Sequence, residues 1–288
     1  MHAVAGLDLN VYEGDVFGFL GPNGAGKSTT IRMLMTLIFP TSGEIKLFGK
    51  DIYKERKYIL SRVGAIVEKP DFYGYLSAYK NLEILARTSG YPVTKNRIME
   101  ILEMVGLDKR YKSKVKTFSH GMKQRLGIAQ ALIHDPRLII LDEPTTGLDP
   151  QGMKEIRELV ISLSKDHNKT IFLSSHILYE VELIANRMVI INKGKTVIEG
   201  SVSELLDATE ARVNIEVDDP QKAVQLIGET NFNGKIDSVT GNTVILFARK
   251  SDIAPINKKL VENGLSVSSI VPTRSLEEYF LNLTEKVE

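Results

Sequence analysis

Gly21-Pro22-Asn23-Gly24-Ala25-Gly26-Lys27-Ser28-Thr29 decides how the rest of the chain is read, because it fits the pattern G-x-x-x-x-G-K-[ST]. An apolar run, Asp15-Val-Phe-Gly-Phe-Leu20, stands before it and reads as a buried strand. A helical pattern runs from Ser28 to Phe39 and stops at Pro40-Thr-Ser-Gly43. Strand, glycine-rich turn and helix form a phosphate cradle. The glycines let the chain wrap closely, so the backbone N–H groups of Asn23, Gly24, Ala25 and Gly26 point at phosphate oxygens. The start of the helix adds its positive dipole end. Lys27 reaches the β and γ phosphates, and the hydroxyl of Ser28, next to Thr29, suits Mg²⁺.

A second anchor is Leu138-Ile-Ile-Leu-Asp-Glu-Pro144. An apolar strand delivers Asp142 and Glu143 at its C-terminal end, where open α/β sheets place their ligands. Asp142 reads as the carboxylate that holds Mg²⁺, directly or through water. Glu143 reads as the general base that orients and activates an attacking water.

Outward from these anchors, short apolar runs alternate with helical patterns. Glu44-Ile-Lys-Leu-Phe48, Arg62-Val-Gly-Ala-Ile-Val67, Thr170-Ile-Phe-Leu-Ser174 and Met188-Val-Ile-Ile191 read as strands. Asn192-Lys-Gly-Lys195 turns into Thr196-Val-Ile198. Ile156, Leu159, Val160 and Leu163 mark one helix face. Ile98, Ile101, Leu102 and Val105 mark another, with Thr94 as N-cap and Gly106 as stop. The expected fold class is α/β: a phosphate-loop nucleotide hydrolase core with a mainly parallel sheet and a helical insertion over about 70–136.

The 288 residues are 43% hydrophobic and 25% charged, with a net charge of +1. That composition supports a sizeable core and gives no global basic excess for nucleic acid. There is no cysteine, which excludes disulfides, thiolate metal sites and cysteine nucleophiles. No apolar run approaches the roughly 18–20 residues of a membrane span, and the N-terminus does not read as a signal peptide. The near-zero charge hides two unlike parts. Residues 201–288 carry 9 basic and 14 acidic residues, against 28 and 22 in residues 1–200. The acidic part reads as strand (Val213, Ile215, Val217), helix (Pro220–Gly228), strands (Lys235–Val239 and Thr243–Ala248), helix (Ser251–Asn263), strand (Leu265–Val271) and helix (Ser275–Leu283). This βαββαβ order suits a small two-layer α+β domain. The expected domains are 1–207 and 208–288.

Three further pieces narrow the field. Phe118-Ser-His-Gly-Met-Lys-Gln-Arg125 precedes the second anchor, Thr146-Gly-Leu-Asp-Pro150 follows it, and Ser174-Ser-His176 ends the next strand. In this order, with the two anchors, residues 3–200 resemble the ATP-binding subunits of ABC transporters. The resemblance implies an ATPase using ATP and Mg²⁺, at the cytoplasmic face of a membrane, peripheral to it. Its implied partners are a second copy or a paralogous subunit in a head-to-tail ATP sandwich, and separately encoded permease subunits, with no nucleic acid. It places Ser119, His120 and Gly121 in the signature motif that caps ATP held by the opposite subunit. Asp149 falls in the loop that crosses the dimer interface, and His176 at the switch histidine that contacts the γ-phosphate.

The chain departs from the family pattern at Glu68, where glutamine is usual. A glutamate there still offers a ligand to Mg²⁺ or the attacking water, but adds negative charge near phosphate. His120 replaces glycine and Met122 replaces glutamine in the signature motif. These changes, with Phe72-Tyr73, resemble the branch that exports bacitracin-like peptides and other drugs. The family's initial strand and adenine-stacking aromatic have no match, His2 and Tyr12 included, so the chain is expected to start late. Phe72, Tyr73 and Tyr75 fall where the family docks its membrane subunit, and read either as interface anchors or as local core. The basic run Lys109–Lys116 reads as a solvated loop or as a contact for lipid headgroups or another acidic surface. Arg274–Leu281 resembles the closing helix of the accessory domain appended to many exporter ATPases. The alternatives are a soluble ABC-type ATPase acting on ribosomes or DNA, or a nucleotide-binding regulator with impaired hydrolysis.

Overall fold

A computed structural model describes residues 2–68, 70–208, 211–230 and 236–273. The chain forms two compact units, Met1–Glu199 and Gly200–Glu288. In the first, β1 (Val16–Leu20) leads to α1 (Lys27–Leu34), a small hairpin of β2 (Lys46–Leu47) and β3 (Lys50–Asp51), α2 (Arg56–Leu60) and β4 (Val63–Ile66). Three longer helices follow: α3 (Ala78–Thr88), α4 (Lys95–Met104) and α5 (His120–Ala131). The alternation resumes with β5 (Leu138–Asp142), α6 (Pro150–Lys165), β6 (Thr170–Ser175), α7 (Leu178–Glu182), β7 (Arg187–Asn192) and β8 (Lys195–Ser201).

The main sheet runs in the order β4-β5-β6-β1-β7-β8. β4, β5, β6, β1 and β7 pair in parallel. Every residue of β1 and β6 is buried, as expected for strands covered on both faces. Phe17 and Phe19 pack on Phe172 across the β1–β6 pair, with ring centroids 5.8 and 5.2 Å apart. Leu20 pairs with Ser175, and Asp142 with Ser174. The chain therefore leaves β1, β5 and β6 at one edge of the sheet.

The helical block is set by its caps. The side chains of Ser77 and Thr94 accept the backbone N–H of Lys80 and Arg97 at the starts of α3 and α4. Gly106 has φ 66° and closes α4, as the sequence predicts. Asn81 is fully buried and pins the segment before α3. It accepts from the N–H of Tyr73 at 2.9 Å and donates to the carbonyls of Tyr73 and Ser77 at 3.2 and 3.0 Å. Tyr73 and Tyr75 stay exposed and meet edge-on at 6.0 Å, so they stand outside the local core.

Two expected elements come out shorter. The helix predicted to reach Phe39 ends at Leu34. Thr36 adopts φ 56°, with its N–H on the carbonyl of Met33 and the N–H of Leu37 on that of Arg32, a closure that turns the chain out of the helix. The strand predicted over Glu44–Phe48 shrinks to Lys46–Leu47. Phe48 and Gly49 both take positive φ and fold it onto β3 as a two-residue hairpin turn. Before β1, the described residues form no strand, although Leu7, Leu9 and Val11 pack on the main core.

The second unit holds α8 (Val202–Ala208), β9 (Ala211–Val217), α9 (Pro220–Gly228), β10 (Ile236–Thr240), β11 (Thr243–Ala248), α10 (Lys250–Glu262) and β12 (Val267–Thr273). Its four strands are antiparallel in the order β10-β11-β9-β12. Alternate residues, Val213, Ile215 and Val217 on β9 and Val244 and Leu246 on β11, bury against Ala223 and Ile227 of α9 and Ile256 and Leu260 of α10. The division of compact units falls ahead of α8, whereas the sequence reading puts it after residue 207. The helix expected over Ser275–Leu283, and the Arg274–Leu281 stretch, lie outside the described residues.

Two expected outcomes follow from this packing. A Cβ added at Gly64 would sit 2.2 Å from the carbonyl oxygen of Ala131 in α5. Gly64→Ala should therefore cost about 1–3 kcal/mol of stability, read by denaturant unfolding; an unchanged midpoint would contradict that contact. His134 is half-buried, its Nε2–H donating to the carbonyl of Val63 at 3.0 Å, and burial lowers its pKa. The fold favours its neutral form more than the unfolded chain does. The stability it contributes is present above the unfolded pKa of about 6.5 and is lost as pH falls toward the lower folded value. His134→Gln should flatten the difference in melting temperature between neutral and mildly acidic buffer; an equal difference in both proteins would contradict it.

Candidate nucleotide site

The ends of β1, β5 and β6 border an open cleft of about 500 Å³. Asn23, Gly24, Gly26, Lys27, Ser28 and Thr29 line one side of it, and Glu143, Thr146 and His176 line another. The loop's shape rests on two glycines. A Cβ at Gly21 would lie 2.4 Å from the carbonyl oxygen of Ile191, and one at Gly26, where φ is 108°, 2.4 Å from that of Ala3. No side chain fits at either place. Ala25 is the loop residue that turns inward. Its side chain belongs to the main core and its N–H is held by the carbonyl of Pro22 at 3.1 Å.

Lys27 is 6% exposed. Its Nζ donates to the carbonyls of Gly21 at 2.7 Å and Pro22 at 3.3 Å, and lies 3.3 Å from Oε1 of Glu143. These three acceptors match the three donors of an ammonium.

Asp142 and Glu143 are held by one residue on the neighbouring strand. The hydroxyl of Ser174 donates to Oδ1 of Asp142, and its oxygen accepts the N–H of Glu143 at 3.0 Å. Glu143 has φ 51°. A non-glycine residue persists in that region when its surroundings over-determine it, and such strain gathers at functional sites. The Oε2 atom of Glu143 accepts from Nδ1 of His176 at 2.6 Å and from the hydroxyl of Thr146 at 2.9 Å. Burial alone would raise the pKa of this carboxyl. The hydrogen bonds from His176 and Thr146 and the Lys27 charge outweigh burial and hold it below the usual carboxylate range. Glu143 is therefore kept as an anion.

The other residues marked in the sequence stand apart from this cluster. The side chain of Ser119 caps α5 by accepting the N–H of Met122 at 3.2 Å, and His120 is exposed, with Nδ1 on the carbonyl of Gly147 at 3.0 Å. A Cβ on Gly121 would meet only Gly152, at 3.8 Å. Glycine within a helix costs about 0.5–1 kcal/mol relative to alanine, and no contact among the described residues requires it there. Asp149 caps α6, accepting the N–H of Gly152 at 2.9 Å. Glu68 is not brought to the cleft. Its exposed carboxylate pairs with Arg32 of α1 at 2.9 Å. Tyr12 lies beyond the opposite end of β1, its ring 4.6 Å from the guanidinium of Arg187. Lys109, Arg110, Lys112, Lys114 and Lys116 are all exposed.

Sequence reasoning missed Thr146 and Ser174 as members of the cluster. The available signal was spacing: a hydroxyl three residues after Glu143, and a hydroxyl two residues before His176 on the adjacent strand.

Comparison with known proteins identifies the family. A family model described as "ABC transporter" matches residues 4–146. The bacitracin transport ATP-binding protein BcrA of Bacillus licheniformis is 48% identical over 279 residues, which span 96% of this chain and 90% of that protein. The lantibiotic transport ATP-binding protein SrtF of Streptococcus pyogenes is 45% identical over 193 residues, 67% of this chain and 82% of that one. Among solved structures, a dimeric ATP-binding cassette in a post-hydrolysis state with ADP and Pi superposes with a TM-score of 0.61 at 26% identity. That match covers 69% of this chain and 90% of the cassette. With a glycine-rich loop, the Glu143 carboxylate and a histidine converging on one cleft, and with relatives of this closeness along nearly its whole length, the chain belongs to the ATP-binding proteins of ABC transporters.

Proposed function

We propose that this chain hydrolyses ATP to ADP and phosphate as the energy-supplying subunit of an exporter of antibiotics or peptides. The observation that carries the reading is the convergence of Lys27, Glu143 and His176 at the edge where the phosphate loop opens. The phosphates replace Glu143 as the partner of Lys27. Glu143 then takes a proton from a water as that water's oxygen bonds to the γ-phosphorus. The bond from the γ-phosphorus to the bridging oxygen breaks, and its electrons leave with ADP. His176, released from Glu143, donates to the γ-phosphate.

The donor set fits Mg²⁺. Ser28 lines the cleft with a hydroxyl, and Asp142 presents a carboxylate held in orientation by Ser174. Among the described residues no cluster of three or more His, Cys, Asp and Glu would cage a metal alone. This suits an ion that takes one or two protein oxygens and completes its shell with phosphate and water. Bound there, Mg²⁺ neutralises phosphate charge. Glu68, paired with Arg32, would join only after leaving that partner.

The site is half of a composite one. Ser119 and Gly121 offer a helix N-terminus whose glycine the chain's own packing does not need, which supports a phosphate brought by a second copy or a paralogous subunit. A permease is the second partner. Exposed Tyr73, whose backbone is held by buried Asn81, and exposed Tyr75 beside it suit its docking. No helix among the described residues is long and apolar enough to cross a membrane; the proposed place, peripheral at the cytoplasmic face, is supported by the transport relatives. The export role rests on the bacitracin and lantibiotic transport relatives.

Replacing Glu143 by Gln should lower turnover by about a hundredfold or more and accumulate an ATP-bound dimer on gel filtration. Hydrolysis at the wild-type rate would remove Glu143 as the base. Lys27→Ala should weaken ATP binding at least tenfold, about 1.4 kcal/mol or more. Undiminished affinity in a calorimetric titration would contradict the cradle.

A further inference from the structure

Glu143 is held by three side chains from three parts of the fold: Lys27 on Oε1, and His176 and Thr146 on Oε2. Two of these have a second duty. The ammonium of Lys27 has its three donors spoken for, by Gly21, Pro22 and Glu143. A phosphate oxygen can gain it only if one acceptor gives way, and Glu143, a side chain, yields more readily than the two loop carbonyls. The imidazole of His176 lines the same cleft and would turn to phosphate as well. Thr146 is the remaining partner, and it sits three residues after Glu143 in the same turn. The N–H of Thr146 lies on the carbonyl of Glu143 at 3.2 Å while its hydroxyl returns to the carboxylate at 2.9 Å. Both ends of Glu143 are thus tied to one residue.

We propose that Thr146 is a positioning residue for the general base: its hydroxyl keeps Oε2 of Glu143 fixed when nucleotide takes Lys27 and His176 away, so that Oε1, vacated by the ammonium, faces the water. This rests on the reading of Glu143 as the base. A carboxylate with one oxygen tethered rotates less, and an acceptor displaced by about 1 Å loses up to a hundredfold in rate. Thr146 touches neither phosphate nor water in this role, and its backbone bond survives substitution. The local turn is therefore not at stake. The positive φ of Glu143 is held separately by Ser174, which accepts its N–H.

The test is steady-state and binding measurement on Thr146→Val, which keeps the shape and removes the donor, beside Thr146→Ser, which restores it. Thr146→Val should lower kcat about tenfold to a hundredfold while KM and the Kd for ATP stay within about twofold. Thr146→Ser should recover most of kcat. Added to Glu143→Gln, Thr146→Val should change the residual rate less than it changes the wild-type rate, because the acceptor it orients is gone. Unchanged kcat in Thr146→Val overturns the proposal. So does a loss that Thr146→Ser does not rescue, or one that appears equally in KM, since those mark a structural or ground-state role. If Glu143→Gln alone retained turnover, the reading of the base would fail; if it abolished turnover and Thr146→Val did not lower it, only the role of Thr146 would fail.

Discussion

Parallel pairing of β5, β6 and β1 is the constraint on which the rest depends. Parallel strands that start together also finish together, and each must then find its own way onward. At this edge the three exits are a glycine-rich loop after Leu20, a pair of carboxylates at Asp142 and Glu143, and a serine–histidine step at Ser175 and His176. None of the three is a site alone. Register brings them within hydrogen-bonding reach: because Asp142 stands opposite Ser174, one hydroxyl serves both Asp142 and the N–H of Glu143.

The electrostatics of the cleft follow from that meeting. Lys27 is almost wholly buried and Glu143 largely so, and each offsets the cost of burying the other. The carboxylate occupies, in the free protein, the place a phosphate would take beside the ammonium. On the proposed function, nucleotide binding would be an exchange of anions on Lys27 rather than the arrival of charge at an unpaired cation, and would free Glu143 to act on water.

The parts of this scheme that were legible in the sequence are those that reduce to short-range pattern. The phosphate loop, the carboxylate strand and the cap at Thr94 are each set within a few residues, and the helix over 220–228 is bounded by its own Pro and Gly. What escaped was set by long-range contact. Asn81, buried beneath Tyr73, carries no local signature, and the double use of Ser174 depends on which strand lies beside it. Glu68 was placed near phosphate by resemblance, but its partner is Arg32, on a helix whose sequence does not announce the pairing. The end of α1 was misjudged because Thr36, a β-branched residue, takes a left-handed conformation that its type disfavours.

The proposed composite site would join the cleft at Lys27 of one copy to the helix start at Ser119 and Gly121 of another, residues that do not line the cleft of their own copy. The most direct test mixes two inactive proteins in the presence of the permease. Lys27→Ala lacks the cradle and Ser119→Arg blocks the helix start, so neither alone should turn over ATP. Mixed, they form dimers that combine the intact cradle of one with the intact helix start of the other, and ATP hydrolysis should reappear in proportion to the mixed dimer. A mixture as inactive as its components, with mixed dimers demonstrably formed, would contradict the composite site.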